Sequence, residues 1–542
     1  MAAFAALAVW RATLGISFAD DAHYAALPLR LAQGALPFRD EMTTQALGFL
    51  IVVPFVKLWT AFFGTTGLVL ALRLCYVALA TAVGYVVYRA LRPSFGNGPS
   101  ALAAWAPLLA PPYNIFGVSY NTMAILAFVA ATALALAALR NNSRWAAGAA
   151  GVALGLGAVS YPPLSIGAAC LAVCFVALAR KPRLVLPFVG AAAVTALVLA
   201  APFVLLASPG SVARASHYSS SVWRSLEPAS RRASQALTNI RLALTRRRLL
   251  PMWALAVVAC LPWPKARAVA CLLLPVAALL PALPRLMAGT PRGFFGAIGA
   301  AYLVVFAAGL VLPVVAMAIR ERRRDVLLGL ALATPLALVN FWLTVWLTSA
   351  AWYWGVSLAG LAPLVVVLVA AWARMLRDDG GSWTFGSGAA CLLGVLVVML
   401  FSLSFKDGAP LRLEHRFWHG PLAGIATTDQ NARRISLVAQ GGRRWVRAGD
   451  RVLVFNDPLA YLLVGGRIYT NAVWLEPGVS DSATIAYFRR EGRLPDVAFV
   501  AQSLITRGVS GGRQGRDPLL SYLTSRYRVA GSAGPFVVYV PR

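Results

Sequence analysis

Leu184-Val-Leu-Pro-Phe-Val-Gly-Ala-Ala-Ala-Val-Thr-Ala-Leu-Val-Leu-Ala-Ala-Pro-Phe-Val-Leu-Leu-Ala207 contains no charged side chain. As a helix it is long enough to cross a bilayer core of ~30 Å, which needs about 20 residues. It has no polar face, so it is not the amphipathic helix of a soluble core. Runs of this kind recur through most of the chain. Of 542 residues, 59% are hydrophobic and 13% charged, against about 25% charged in ordinary soluble domains. Mean hydropathy is +0.71. The expected fold class is a polytopic α-helical membrane protein.

Candidate spans lie at about 2–18, 66–88, 101–117, 121–139, 145–160, 164–179, 184–207, 249–264, 268–283, 297–319, 326–348, 358–373 and 386–405. Thirteen spans put the two termini on opposite sides. The net charge of +30 would point to nucleic acid in a soluble chain, but here the bases sit in short loops between apolar runs. Arg89 and Arg92, Arg140 and Arg144, Arg180, Lys181 and Arg183, Lys265 and Arg267, Arg320 to Arg324, and Arg374 and Arg377 occupy alternate connections. By the positive-inside rule these face the cytoplasm, as does the N-terminus. No nucleic-acid partner is expected. Residues 208 to 248 break the pattern, because the count places them outside although they carry eight Arg. They are either an amphipathic helix on anionic lipid headgroups or a further span.

From about residue 406 the apolar runs shorten. Arg451–Phe455, Asp496–Val500 and Phe536–Val540 read as buried strands, and Ser482–Glu491 as a helix stopped by Gly492. The expected organisation is a transmembrane domain over 1–405, with its first outer loop at 19–65, and a small extracytoplasmic α/β domain over 406–542. The six cysteines all lie in apolar runs, so no disulfide framework is expected. His415 and His419 are spaced for one helix face but fall in a linker. Gly155-Leu-Gly157 reads as helix packing.

The acids locate the chemistry. Residues 1 to 405 hold nine, and Asp20, Asp21, Asp40 and Glu41 share the first outer loop. Carboxylates beside a membrane are costly unless used or paired. Pairing with Arg30 or Arg39 is the structural alternative.

The stretch Asp20-Asp21-Ala-His23-Tyr24-Ala-Ala-Leu-Pro-Leu-Arg-Leu-Ala-Gln-Gly34-Ala-Leu-Pro37-Phe38-Arg39-Asp40 resembles the first outer loop of the C-type (GT-C) membrane glycosyltransferases. The protein O-mannosyltransferase and aminoarabinose-transferase-like families are nearest in pattern. There an acidic pair opens the loop, followed by a short Tyr-Ala helix and a Gly-x-x-Pro-aromatic-x-Asp turn. Phe62-Phe63-Gly64 and the following helix with Arg73 continue the match, which covers roughly 15 to 75. This chain has Asp-Asp where Asp-Glu is commoner. It has Ser119-Tyr120-Asn121-Thr122 where many relatives carry a further acid.

The resemblance implies an outer-face active site, a polyprenyl-phosphate sugar donor, a glycan, lipid or protein acceptor, and inversion at the anomeric carbon. It assigns catalysis to Asp20 as base, with Asp21 as the alternative and Asp40 as an orienting acid. Arg73 is the first candidate for the donor phosphate, followed by His23, Lys57, Arg214 and Arg224. The family varies in its use of a divalent metal, and no other cofactor is implied. Trp352, Tyr353, Trp354, Tyr113 and Tyr161 are read as an interfacial aromatic belt. A transporter or a non-catalytic scaffold is the competing class. The absence of deep acids and of paired halves speaks against a transporter.

Overall fold

The computed structural model describes residues 2–109, 116–225, 247–279, 297–347, 354–402, 407–475, 481–505 and 517–542, with isolated positions between 226 and 246. Tyr113, Trp352 and Tyr353 lie outside the described residues.

The helical part opens with α1 (Ala2–Ala12) and α2 (Asp20–Ala32), then a 3₁₀ segment (Thr44–Val52) running into α3 (Val53–Phe63). Next come α4 (Leu68–Phe95), α5 (Asn97–Leu109), α6 (Tyr120–Asn141), α7 (Arg144–Ser160), α8 (Ser165–Ala179), α9 (Pro182–Ala207) and α10 (Pro209–Ser225). After these lie α11 (Leu250–Cys260), α12 (Pro264–Leu279), α13 (Ala297–Arg320), α14 (Arg324–Leu347) and α15 (Trp354–Ser402).

Among the described residues, seven helices are long and apolar enough to cross a membrane, against the thirteen expected. The spans expected at 66–88, 121–139, 164–179, 184–207 and 326–348 are there. Those at 358–373 and 386–405 are two helices that meet at the non-helical Gly381, whose φ of 78° is open to glycine. The segments at 2–18 and 249–264 are helices of 11 residues each, below spanning length, and that at 145–160 is a helix of 17. The first outer loop is itself helical in its second half, and Thr44–Phe63 is apolar and long enough to count as a span. It changes from 3₁₀ to α at Val53-Pro54, where a proline fits the first turn of a helix. The Arg-rich segment begins as α10, a helix outside the seven candidate spans.

The helices pack through small residues. A Cβ on Gly155 would come within 2.5 Å of the Ala192 carbonyl, and one on Gly157 within 2.7 Å of the Phe128 ring. This is the packing expected for that pair. Three acids of the basic loops are paired: Asp379 with Arg267, and Glu321 and Asp378 with Arg323.

The C-terminal region holds a short antiparallel pair, β1 (His415–Arg416) and β2 (Ala426–Thr427), followed by α16 (Asp429–Trp445), β3 (Arg451–Phe455), α17 (Leu459–Val464) and β4 (Arg467–Ile468). Then come α18 (Asp481–Glu491), β5 (Val497–Ala501), α19 (Pro518–Arg526), β6 (Tyr527–Ala533) and β7 (Phe536–Pro541). The strands form a mixed sheet in the order β4-β3-β5-β7-β6, with β4, β3 and β5 parallel and β7 antiparallel to β5 and β6. β3 and β5 are almost wholly buried, which accounts for their unbroken Val, Leu and Phe runs. His415 lies in a strand, so it does not share a helix face with His419.

The first outer loop and the sheet region share their cores. Ala22, Tyr24 and Leu27 of α2 pack in one cluster with Val452, Tyr461 and Phe499, and Phe38, Met42 and Leu47 pack in another with Phe455, Leu475 and Phe488. Leu14 pairs with Ala426 as an isolated β-bridge, and the Gly15 N–H donates to the Ala426 carbonyl at 2.8 Å.

Candidate active site

α2 begins on two carboxylates, a placement its N-terminal dipole favours. They face different surroundings. Asp21 is 3% exposed and ion-paired with Arg73, which is 5% exposed. The Arg73 guanidinium also donates to the Ala12 carbonyl at 2.7 Å, to the Gly15 carbonyl at 2.6 Å and, through Nε, to Asp21 at 3.4 Å. Gly15 presents its carbonyl from a φ of 79°, open to glycine. Four of the five guanidinium N–H groups are thereby used inside the protein. Arg73, expected to receive a phosphate, instead ties the end of α1, the following turn and α2 together. It acts on Asp21 as a positioning residue. Asp20 is half-buried, and its charge acts on the Tyr120 phenol.

Around Asp20 the structure collects groups from three elements. Ser119 and Thr122 form a reciprocal cap at the start of α6: Ser119 Oγ accepts from the Thr122 N–H at 3.1 Å and Thr122 Oγ1 from the Ser119 N–H at 2.9 Å. That cap fixes Tyr120 and Asn121. The Tyr120 ring lies 6.1 Å from Tyr24 and 4.9 Å from Tyr161, and Asn121 Nδ2 donates to the Tyr24 hydroxyl at 3.4 Å. Tyr161, expected in an interfacial belt, is 2% exposed in this cluster. Phe49 of the 3₁₀ segment closes it, 6.3 Å from Tyr24. The 3₁₀ segment comes this close because residue 48 is glycine. A Cβ there would meet the Ser160 carbonyl at 2.5 Å and Tyr120 Cα at 2.7 Å.

His23, expected as a secondary phosphate ligand, is 4% exposed among Tyr24, Phe49 and Trp474. Burial lowers its pKa to about 4, so at neutral pH it carries no charge to offer a phosphate. Its Nδ1 is buried with no hydrogen-bond partner. Lys57 on α3 and Arg214 on α10 are exposed, the latter 2.7 Å from Ser211 Oγ. The Arg224 side chain lies outside the described residues.

Asp40, expected to orient acceptor or base, is spent on its own turn. Its Oδ2 accepts from the Leu36 N–H at 2.9 Å and its Oδ1 lies 3.7 Å from Arg39. Its neighbour Glu41 had drawn no nomination, yet is fully buried and ion-paired with Arg30, which is 1% exposed. Burial raises the Glu41 carboxyl, while Arg30 and Thr43 pull it down. Glu41 also accepts from the Val473 N–H at 3.2 Å, and Arg30 donates to the Thr470 carbonyl. This pair joins the first loop to the sheet region. The charge pairing with Arg30 was legible from sequence as an alternative for the loop acids. Tyr120 and Asn121 carried no signal beyond the helix start at Ser119.

Among the described residues, no group of three or more His, Cys, Asp or Glu side chains is placed to hold a metal. Asp21 is engaged by Arg73, so no step below is routed through a metal. An open cleft of about 510 Å³ lies on the sheet region, lined by Asp429, Gln430, Arg433, Arg434 and Leu437, and the Arg434 guanidinium lies 4.3 Å from the Phe18 ring centroid.

No protein-family model matches the chain, and no curated protein matches it significantly. Among solved structures it is similar to ArnT from Cupriavidus metallidurans in the apo state, with 14% identity over 98% of this chain and 96% of that one, at a TM-score of 0.44. The same protein bound to undecaprenyl phosphate aligns at 16% identity over 99% and 97%, also with a TM-score of 0.44. The oligosaccharyltransferase of Archaeoglobus fulgidus, in complex with Zn and sulfate, aligns at 13% identity over 100% of this chain and 72% of that chain, with a TM-score of 0.46. At these values the likeness carries nothing about individual residues or chemistry.

Proposed function

We propose that this chain is a membrane glycosyltransferase that moves a sugar from a polyprenyl-phosphate donor to an acceptor hydroxyl on the extracytoplasmic face, with Asp20 as base. The observation that carries the reading is the setting of Asp20, half-buried at the start of α2 beside a tyrosine cluster on which its charge acts. Asp21, one residue later, is ion-paired with the buried Arg73. The resemblance of residues 15 to 75 to the GT-C first loop supplies the reaction class.

In the reaction, Asp20 takes the proton of the acceptor hydroxyl as its oxygen attacks the anomeric carbon. The bond between that carbon and the phosphate oxygen breaks, and its electron pair leaves with the polyprenyl phosphate. One displacement inverts the configuration. The departing phosphate needs cations that are not already spent, and this falls to Lys57 and Arg214, with Arg224 as a further candidate. On this reading the N-terminus and the basic loops are cytoplasmic, and the domain over 406–542 lies outside with the first loop. The acceptor is a glycan, lipid or protein hydroxyl.

The test is transfer in proteoliposomes from a panel of radiolabelled polyprenyl-phosphate sugars, comparing wild type with Asp20→Asn. The expected result is transfer by wild type and its near loss in the variant. Equal turnover by both refutes Asp20 as base.

A further inference from the structure

The sheet region does more than cap the helices, because it inserts one loop against α2. In residues 470–475, Thr470, Asn471, Ala472, Val473 and Leu475 are all at most 1% exposed, while Trp474 between them stays half-exposed. That loop is held at many points. The Thr470 carbonyl accepts from Arg30, and the Val473 N–H donates to Glu41 at 3.2 Å. The Asn471 carbonyl accepts from the Met42 N–H at 2.8 Å, and its side chain accepts from Thr484 Oγ1 at 2.6 Å. These bonds tie the loop to residues 30–42 and to α18, and Trp474 sits among residues that are all buried. Its ring centroid is 5.8 Å from that of His23. His23 follows Asp20 by three residues on α2, the spacing that makes neighbours on one helix face.

Building on the glycosyltransferase reading, we propose that Trp474 is the acceptor platform: a saccharide ring of the acceptor stacks on its indole, with a ring hydroxyl directed to His23 and the attacking hydroxyl to Asp20. Three features fit a sugar better than an alkyl chain. A pyranose has an apolar C–H face and a polar edge, which suits an indole ring centred 5.8 Å from an imidazole whose buried Nδ1 has no hydrogen-bond partner among the described residues. A neutral imidazole can donate from one nitrogen and accept at the other, as hydroxyl recognition requires, and burial keeps His23 neutral. A Trp, with two side-chain torsions, also supplies contact area at little entropic cost. On the glycosyltransferase reading the donor's prenyl chain lies in the membrane, which leaves a platform on the sheet region to the other substrate.

The experiment is saturation-transfer NMR on the full chain in nanodiscs, with a panel of methyl glycopyranosides as probes. Wild type, Trp474→Ala and Trp474→Phe are compared, each checked for an unchanged melting temperature. The expected result is transfer to the ring C–H protons of at least one glycoside in wild type, a loss of at least fivefold in Trp474→Ala, and retention in Trp474→Phe. Absence of saturation for every glycoside, or equal saturation in Trp474→Ala, overturns the proposal. This binding readout does not depend on turnover. If Asp20→Asn abolishes transfer while glycoside binding ignores Trp474, the platform alone fails. If glycosides bind through Trp474 while Asp20→Asn still turns over, the catalytic assignment alone fails.

Discussion

Asp20→Asn and Asp21→Asn should separate rate from stability. Asp21 and Arg73 are 3% and 5% exposed and joined in one ion pair. Removing one charge of such a pair strands the other in a low-dielectric site and costs about 3–5 kcal/mol. Asn keeps one acceptor oxygen, so Asp21→Asn belongs at about 3 kcal/mol, the lower end of that range. Asp20 is half-buried, so Asp20→Asn should cost less, about 1 kcal/mol. Its loss should appear in turnover, where removing a general base costs a factor of about 100 to 10,000. Arg73→Met also leaves the Ala12 and Gly15 carbonyls without a donor, at about 1–3 kcal/mol each. The double variant Asp21→Asn/Arg73→Met removes both charges, and its destabilisation should fall short of the sum of the singles by about 2 kcal/mol or more. Thermal unfolding in nanodiscs and transfer in proteoliposomes read the two quantities. The reasoning is refuted if Asp21→Asn melts like wild type yet loses turnover while Asp20→Asn stays active, because the two carboxylates would then have exchanged roles.

Glu41→Ala should leave Arg30 charged, buried and unpaired, at about 3–5 kcal/mol. Amide hydrogen exchange across Thr470–Trp474 should rise sharply, and unchanged protection there would count against the pair as the link between loop and sheet. Gly48→Ala puts a methyl within 2.5 Å of the Ser160 carbonyl and should cost about 1–3 kcal/mol by overpacking. Turnover should fall with it as Tyr120 is displaced. Gly190→Ala, which meets nothing within 4 Å, is the control, and equal behaviour of the two would remove the close-approach argument. His23 has a folded pKa of about 4 against 6.5 for the free side chain. Below pH 6.5 the unfolded chain therefore takes up a proton that the folded one refuses, so stability should fall between about pH 6.5 and 4, by about 3 kcal/mol at 1.36 kcal/mol per unit. His23→Leu should flatten that part of the melting-temperature profile, and an unchanged slope would mean that the imidazole is not buried neutral.

The membrane helices were legible because their signal is local. A run such as 184–207 declares itself by length and composition, and α9 forms over Pro182–Ala207. The strands β3, β5 and β7 were legible for the same reason, as short β-branched and aromatic runs between Gly, Asp and Pro. The pair at 358–373 and 386–405 was legible too, as two helices that meet at the non-helical Gly381. The full count of spans was not. The 3₁₀-to-α segment of Thr44–Phe63 has the composition of a span in a place the charge count assigns to a loop.

The site separates along the same line. The candidate site over residues 19–65 was proposed from where the few acids fall, but the partner of each acid was only partly legible. Asp21 finds Arg73 52 positions on, and that arginine takes up a charge that sequence alone leaves open to catalysis. Arg30 meets Glu41 only 11 positions on, and its donation to the Thr470 carbonyl, 440 positions on, ties the loop to the sheet region. Arg73 looked like a phosphate ligand because an unpaired arginine inside a helix is expensive. The premise holds, but the expense is met by Asp21 and two backbone carbonyls. Asp20 is distinguished by its place, half-buried at the start of α2 with its charge acting on the Tyr120 phenol, and the proteoliposome comparison of Asp20→Asn with Asp21→Asn decides whether that place carries the base.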